Sequence, residues 1–241
     1  MITDFSWLSR TQLLIKEPGL HRLSRSHVMV VGLGGVGSFA AEFVARSGVG
    51  KMTIIDGDTV DPTNRNRQLV ALATNHGQSK AEIMAARLRE INPEIDLTII
   101  GEFMQPEMVE QQFALKPDYV IDAIDSITPK LTFLSLAVRE NIRIVSSMGA
   151  GGKMDPTKLH VADISKTHHC PFAQQIRKQL KTDFNIRHGI KAVFSSEMPD
   201  RSSIILTDGK NFKKSAYGTI SYLPAVFGAV CASVVIRDFL E

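Results

Sequence analysis

Cysteines and long apolar runs are scarce in this chain of 241 residues. Two lone cysteines, Cys170 and Cys231, supply neither a disulfide framework nor the paired Cys-x-x-Cys ligands of a structural zinc. A bilayer span needs roughly 18 to 20 consecutive apolar residues, and the longest candidate, residues 221–240, is interrupted by a proline and two charged residues. The first residues also lack the basic-then-apolar order of a signal peptide. We therefore expect a cytoplasmic protein that has no membrane partner.

Excess charge is also small, with a formal net charge of +3 at pH 7 and 22% charged residues. A balance this weak is not by itself evidence of nucleic-acid binding. The basic residues are unevenly distributed, however, because residues 166–191 contain six of them against a single acid, Asp183. This stretch is either a solvated helix face or a binding surface for an anionic partner.

The first half of the chain alternates strand and helix patterns. Amphipathic stretches that predict helices separate five short apolar runs that predict strands, at residues 28–31, 52–55, 97–100, 119–121 and 142–146. This alternation predicts an α/β fold with a doubly wound, Rossmann-like, mostly parallel sheet. The apolar helix predicted at residues 221–240 is expected to pack on the sheet. Residues 198–220 are rich in Pro, Gly, Ser and Lys and predict a long loop.

A glycine-rich motif follows the first predicted strand. Residues 30–37 form a G-x-G-x-x-G fingerprint with four glycines, Gly32, Gly34, Gly35 and Gly37. Such glycines let backbone N–H groups approach an anion at the start of a helix. Asp56 and Asp58 follow the next strand, where a carboxylate accepts hydrogen bonds from ribose hydroxyls. The motif indicates nucleotide binding and leaves the identity of the nucleotide open.

Polar residues further along the chain favour a triphosphate. Asn64, Arg67 and Lys80 follow the second strand, and Arg and Lys are side chains that hold phosphate groups. Asp125 follows a later strand, where its carboxylate is suited to hold Mg²⁺ against phosphate oxygens. Asp122 fits a magnesium ligand and a cap at the strand end equally well. A hydride-transfer enzyme has no need of this set.

The order of these motifs resembles the ThiF/MoeB superfamily of ubiquitin-activating-type adenylating enzymes. The shared pattern covers residues 5–150 and comprises Gly-x-Gly-Gly-x-Gly, Asp-x-Asp, Asn-x-x-Arg-Gln, Gly-Gln-x-Lys, Ile-Asn-Pro and Asp-x-x-Asp. The resemblance implies that a carboxylate attacks ATP, which gives an acyl-adenylate and pyrophosphate. It also implies that Asp56 binds the ribose. Asn64, Arg67 and Lys80 would then hold the triphosphate, and Asp125 would bind Mg²⁺.

Arg10 resembles the N-terminal arginine that, in this superfamily, reaches the ATP of the partner subunit. The resemblance therefore implies a homodimer, with Arg10, Arg67, Lys80 and Asp125 as catalytic candidates. On this basis we divide the chain into an N-terminal helical segment (residues 1–27), an ATP-binding adenylation domain (28–150) and a substrate-binding extension (151–241) in the same globular unit.

The second half resembles one branch of the superfamily, the TcdA/CsdL proteins, which are tRNA threonylcarbamoyladenosine dehydratases. Matching segments lie at residues 163–167, 171–173, 193–197 and 225–228. The resemblance implies that ATP activates the carboxylate of threonylcarbamoyladenosine in tRNA, after which a ureido nitrogen displaces AMP and closes a hydantoin ring. With tRNA as the implied partner, basic residues of the extension become candidates for phosphate contacts, namely Lys166, Arg177, Lys178, Lys181, Lys213 and Lys214.

Three other functions stay open at this point. An activator of a small ubiquitin-like sulfur carrier would adenylate a protein C-terminus, although the missing zinc cysteines argue against it. An NAD-dependent oxidoreductase would need only the glycine loop and Asp56. A non-catalytic, nucleotide-gated adaptor would serve a partner such as a cysteine desulfurase.

Cys170 is a minor candidate for an enzyme nucleophile. It follows His168 and His169, and histidine and basic neighbours lower the pKa of a thiol. An intramolecular cyclisation needs no enzyme thiol, so we favour a structural role for Cys170. The two histidines lack a cysteine or acid at ligand spacing, and we interpret them as surface residues.

Overall fold

The computed structural model describes residue 2 and residues 4–104, 106–206 and 215–241. The helices in this part of the chain are α1 (Ser9–Arg25), α2 (Gly37–Arg46), α3 (Lys80–Ile91), α4 (Pro106–Phe113), α5 (Ile127–Arg139), α6 (Pro171–Phe184) and α7 (Tyr222–Leu240). The strands are β1 (His27–Val31), β2 (Lys51–Ile55), β3 (Asp96–Ile100), β4 (Tyr119–Asp122), β5 (Arg143–Ser147), β6 (Leu159–Asp163), β7 (Lys191–Ser195), β8 (Ile204–Leu206) and β9 (Ser215–Tyr217).

Seven strands form one sheet in the order β3-β2-β1-β4-β5-β7-β6. All neighbouring pairs in this sheet are parallel except β6 and β7, which pair antiparallel at one edge. The predicted doubly wound, mostly parallel fold is therefore confirmed. The chain runs from β1 to β2 on one side and later to β4 on the other, and such a switch point is where open α/β sheets bind ligands.

Alternate residues of the central strand β1 pack into two different cores. Val28 and Val30 are buried in the core beneath α2, α3 and α7. Met29 and Val31 are buried in the core beneath α4, α5 and α6. A strand covered on both faces has to be apolar at every position, which explains the continuous apolar run of β1.

The last helix belongs to the first of these cores. By length and composition α7 would span a membrane, but half of its most apolar 18-residue window is buried in the fold. Phe227, Cys231 and Val235 are fully buried there, and the helix packs on α2 and on β4, β5 and β7. We identify α7 as a core helix that covers the sheet.

The prediction of a long loop at residues 198–220 is wrong in part. Ile204–Leu206 pairs antiparallel with Ser215–Tyr217 to form a small hairpin. The two strands are only three residues long, so the surrounding polar and turn-forming residues dominate the local composition. Residues 207–214 lie outside the described part of the chain, and with them Lys213 and Lys214.

Candidate active site

The glycine loop joins β1 to α2 at the carboxyl edge of the sheet. Gly32 has a φ of 86°, in the left-handed region that favours glycine. A Cβ on Gly37 would collide with the carbonyl oxygen of Gly32, and a Cβ on Gly35 would lie 2.9 Å from the Cβ of Pro224 in α7. Gly34 is more open, since the nearest atom to a Cβ there would be 3.8 Å away. Packing thus fixes three glycines and holds the loop at a helix N-terminus, where N–H groups attract anions.

Asp56 braces this loop from the end of β2. Its carboxylate accepts hydrogen bonds from the backbone N–H groups of Leu33, at 2.6 Å, and Asp58, at 2.8 Å. Burial raises the pKa of the Asp56 carboxyl, while the Lys80 ammonium and the two N–H groups oppose that rise. Each carboxylate oxygen retains acceptor capacity beyond one hydrogen bond, so Asp56 is equipped to accept from a ribose hydroxyl as well.

Lys80 lies beside Asp56 at the start of α3. Only 4% of the residue is exposed, and its ammonium donates to the carboxylate of Asp58 at 3.0 Å. The backbone N–H of Lys80 also donates to the carbonyl oxygen of Asp58, at 3.1 Å. The nearly buried ammonium of Lys80 therefore lies at this edge of the sheet, next to the carboxylates of Asp56 and Asp58.

The segment after β2 carries Asn64 and Arg67 on a single turn. The side-chain oxygen of Asn64 accepts from the backbone N–H of Asp61, whose carboxylate in turn accepts from the N–H of Thr63. The Arg67 guanidinium donates to the carbonyl oxygen of Thr63 at 3.1 Å and to the side chain of Asn66 at 2.9 Å. Reciprocal capping thus sets the turn that presents the guanidinium.

Asp125 comes close to Arg67 from the far side of the glycine loop. Partial burial lowers the pKa of the Arg67 guanidinium, and the charge of Asp125 opposes this shift. Asp125 itself is exposed. Arg67 also lies against the glycine loop, with its Cγ 3.5 Å from a Cβ added to Gly35. Predicted residues from four different segments therefore meet at one edge of the sheet.

The carboxylate of Asp122 belongs to a buried polar network within the protein. Both it and Lys130 are fully buried, and the Lys130 ammonium lies 2.6 Å from the Asp122 carboxylate. The carboxylate also accepts from the hydroxyl of Ser146, at 2.6 Å, and from the N–H of Ile124, at 3.0 Å. Lys130 additionally donates to the carbonyl oxygen of Ile124. Every strong interaction of Asp122 thus points into the protein, and together they fix the loop that carries Asp125.

Two buried polar residues beside the site, Gln68 and Lys130, were not predicted from the sequence to have a role there. Gln68 is 8% exposed, and its side-chain oxygen has no hydrogen-bond partner among the described residues. Lys130 is the one charged residue of α5 before the Arg139 that ends it, which was the available signal of a buried charge. Its partner Asp122 lies eight residues earlier, beyond the range of helical pairing rules.

The segment that leads to Arg10 packs at the amino ends of the strands, away from the glycine loop. Leu8, two residues earlier, packs on Gly48, and the N–H of Asp4 donates to the carboxylate of Glu94 at 3.0 Å. Gly48 and Glu94 precede β2 and β3, so this segment lies at the amino ends of the strands. A five-residue strand is about 13 to 17 Å long. Arg10 is therefore well separated from the glycine loop of its own chain.

The basic stretch of the extension forms a concave surface on α6. A shallow cavity of about 480 Å³ is lined by Gln174, Arg177, Lys178, Lys181 and Arg187. The Arg177 guanidinium is engaged with the protein, since it donates to the carbonyl and hydroxyl oxygens of Thr167. Lys178 and Lys181 are exposed, as is Lys166 at the end of a short 3-10 helix before α6. Of the six residues predicted to contact RNA phosphates, Arg177, Lys178 and Lys181 thus share one surface.

Cys170 is buried, with 4% of its surface exposed. Its sulfur lies 3.7 Å from the ammonium of Lys153, which also donates to the carbonyl oxygens of Gly149 and Ser195. Burial lowers the pKa of the Lys153 ammonium, an effect that the neighbouring thiol opposes. The burial of the thiol differs from the solvent-accessible setting of reactive cysteines. It fits the structural role favoured from the sequence.

Comparison with known proteins extends these observations to the whole chain. It is 41% identical to the tRNA threonylcarbamoyladenosine dehydratase of Bacillus subtilis, over 97% of this chain and 94% of that protein. It is 38% identical to the dehydratase of the same name from Escherichia coli, over 100% of this chain and 96% of that protein. The crystal structure of the E. coli dehydratase in complex with ATP superposes with a TM-score of 0.91 and covers 100% of this chain and 97% of that one.

The sequence profile of the ThiF family matches residues 8–240. This match includes the N-terminal helix, the glycine loop, the extension and α7. With the full-length similarity to the dehydratases, it shows that the chain belongs to the ThiF family.

Proposed function

We propose that the protein uses ATP to dehydrate threonylcarbamoyladenosine in tRNA. The observation that carries this proposal is the convergence of the glycine loop, Asp56, Lys80, Arg67 and Asp125 at one sheet edge. That site occurs in a chain that matches tRNA threonylcarbamoyladenosine dehydratases over nearly their full length. A tRNA substrate is also the reason to expect the protein in the cytoplasm.

The site residues have distinct roles toward ATP in this proposal. The glycine loop and the start of α2 bind phosphate, and Asp56 accepts from the ribose hydroxyls. Lys80 and Arg67 neutralise charge on the phosphate oxygens, and Asn64 adds an amide donor. On binding ATP, Lys80 exchanges its carboxylate partner Asp58 for phosphate, so the nearly buried ammonium remains paired throughout.

Asp125 is the residue best placed to hold Mg²⁺. Its carboxylate is exposed and follows β4 beside Arg67, and one carboxylate with substrate phosphates is a common magnesium arrangement. The ion would supply further neutralisation of the phosphate charge. Asp122 does not contribute, because Lys130 and Ser146 already hold it.

The reaction proceeds through two displacements. The threonyl carboxylate attacks the α-phosphorus of ATP, forming an acyl-adenylate and releasing pyrophosphate. A ureido nitrogen of the same group then attacks the acyl carbon, loses its proton and releases AMP, which closes the hydantoin ring. The tRNA loses one water in total, and ATP becomes AMP and pyrophosphate. The nucleophile in each step belongs to the substrate, so the enzyme contributes positioning and charge stabilisation.

We further propose a homodimer in which Arg10 serves the site of the partner. Arg10 is remote from the glycine loop of its own chain, as described above. Leu13 and Leu14 on the same helix are 72% and 82% exposed, and Trp7 just before it is 39% exposed. Exposed apolar side chains that follow one another closely in one segment suit an interface with another protein. A second copy that covers them would bring Arg10 with it.

Nucleoside mass spectrometry tests the proposed reaction. The purified protein is incubated with ATP, Mg²⁺ and tRNA that carries threonylcarbamoyladenosine, and the digested nucleosides are analysed. We expect the modified nucleoside to lose the mass of one water, only when ATP is present. The Lys80→Ala protein is the negative control. Pyrophosphate exchange that ignores tRNA but requires a ubiquitin-like carrier protein would instead support the sulfur-carrier function.

A further inference from the structure

Three exposed histidines form a cluster of rings at the free edge of the sheet. The ring centroids of His160 and His168 are 5.7 Å apart, and those of His168 and His169 are 5.1 Å apart. All three residues are exposed. They come from two segments, since His160 lies in β6 and the other two precede α6. The fold, and not adjacency in sequence, therefore brings the set together.

The cluster rests on a rigid base. The buried ring of Phe194 lies 5.4 Å from the ring of His160 and 5.1 Å from that of His168. His160 also exchanges a 2.9 Å hydrogen bond with the hydroxyl of Ser196. His169 keeps its ring beside His168 with a φ of 53°, a left-handed conformation that is uncommon for a residue with a Cβ. Held rings lose little entropy on binding a ligand.

The chemistry of the cluster favours a flat, unsaturated ligand over a metal ion. Among the described residues there is no group of three His, Cys, Asp or Glu side chains arranged to hold a metal. Exposed aromatic faces, those of histidine included, stack on unpaired nucleobases. Basic groups that suit an RNA backbone lie nearby, with Lys166 two residues before His168 and the basic concavity on the helix that follows.

The position of the cluster relates it to the active site. His160 pairs with Phe194, which lies next to the carboxyl end of β7. Asp125 follows the carboxyl end of β4, so both lie on the side of the sheet where the parallel strands end. Three strand spacings separate β4 from β6, which is about 14 Å. A short stretch of single-stranded RNA spans that distance. A nucleotide bound at Asp125 therefore leaves a neighbouring nucleotide within reach of the histidine rings.

We propose that His160, His168 and His169 form a stacking site for a nucleobase near the modified adenosine of the substrate tRNA. This proposal rests on the proposed function and adds a second contact to the same RNA. The active site holds the modified nucleotide, the histidine rings hold a nearby base, and the basic concavity on α6 holds the backbone beyond it.

The test combines protein variants with RNA variants. The His168→Ala/His169→Ala protein is compared with wild type for binding of a modified anticodon stem-loop and for turnover at saturating ATP. Loss of stacking on a base is expected to weaken RNA binding about tenfold, with KM for the RNA rising and kcat retained. His168→Phe/His169→Phe keeps flat rings and should restore binding. His188→Ala, an exposed histidine outside the cluster, is the matched control, and ATP binding reports correct folding.

Stem-loops with an abasic site at single positions near the modified adenosine identify the stacked base. One abasic position should weaken binding to the wild type about tenfold and have no further effect on the double alanine variant. An equal penalty in both proteins, or normal binding by the double alanine variant, would overturn the stacking site. Wild-type protein that fails to dehydrate the modified RNA would overturn the proposed function, and the stacking site with it.

Discussion

Two buried lysines show how similar residues have different uses at the same sheet edge. Lys130 is completely buried, and so is the carboxylate of its ion-pair partner Asp122. Its ammonium also donates to the carbonyl oxygen of Ile124. Lys80 is nearly as buried, but its partner Asp58 is about half exposed. A charge whose counter-ion is open to solvent remains available to a ligand, whereas a sealed pair stabilises structure. Burial of the partner therefore distinguishes the lysine that we propose to bind phosphate from a structural one.

Lys80→Ala should abolish activity and preserve the fold. Removing one preorganised charge from a transition state costs on the order of 10²- to 10³-fold in kcat, and alanine is a good helix former at the start of α3. Lys51→Ala is the control, because its exposed ion pair with Asp96 lies at the other edge of the sheet. Nucleoside turnover and thermal unfolding measure the two effects. Near wild-type turnover by Lys80→Ala would contradict the site assignment.

Lys130→Met should destabilise the protein, because it leaves the Asp122 carboxylate buried without a counter-ion. Removing one partner of a buried ion pair costs about 3 to 5 kcal/mol in the free energy of unfolding. Adding Asp122→Asn removes the uncompensated charge and should recover part of that loss. Denaturant unfolding of the single and double variants provides the measurement. A loss below about 1 kcal/mol for Lys130→Met, the value typical of exposed ion pairs, would show that the pair is not structural.

At the scale of elements, α7 and α1 extend the site beyond the central βαβ units. Helix α7 packs on α2, and its Pro224 lies so close to Gly35 that a Cβ there would not fit. The C-terminal element thus fixes the shape of a loop almost 200 residues earlier in the chain. Helix α1 leaves Leu13 and Leu14 exposed to solvent. Helix α7 thus completes the site within its own chain. Helix α1 has the exposed apolar side chains that we propose a second copy covers.

Complementation between inactive variants tests the role of α1. Arg10→Ala and Lys80→Ala proteins are each expected to be inactive, because each removes one charge from both sites of the proposed homodimer. A mixed dimer contains one site with both residues intact, so mixing should restore up to half of the wild-type activity per mixed dimer. Size-exclusion chromatography with differently tagged subunits confirms exchange. No recovery after confirmed exchange would place Arg10 in its own subunit's site or outside catalysis.

At the scale of the whole molecule, local sequence patterns predicted the fold. The contacts between distant segments depend on long-range packing and were not predicted. Alternating apolar runs and the glycine motif were sufficient for the parallel sheet and its nucleotide edge, because both depend on neighbouring residues. The pairing of Asp122 with Lys130, the Lys153–Cys170 contact and the histidine cluster join segments that carry no matching signal in sequence. The hairpin at Ile204–Leu206 was missed for the same reason, since its partner strand lies beyond a polar segment.

The distribution of basic charge over the molecule leads us to expect that tRNA binding is sensitive to salt. Each phosphate contact releases counter-ions, so the logarithm of affinity should fall with the logarithm of salt concentration by about 0.7 to 0.9 per contact. Lys178→Glu/Lys181→Glu should weaken tRNA binding and flatten this slope by about 1.4 to 1.8. These lysines are better targets than Arg177, because Arg177 also anchors Thr167.

The matched control for this last prediction is Arg89→Glu/Arg237→Glu, which reverses two exposed charges on α3 and α7, the helices that cover the face of the sheet opposite to α6. Affinities for one tRNA are measured at several salt concentrations by fluorescence anisotropy, with ATP binding measured in parallel. We expect the control to keep the wild-type slope and both variants to bind ATP, because the glycine loop is unchanged. If Lys178→Glu/Lys181→Glu retains both the affinity and the slope, the concave surface on α6 is only a solvated face. Recognition of the RNA would then have to come from the active site and the histidine cluster.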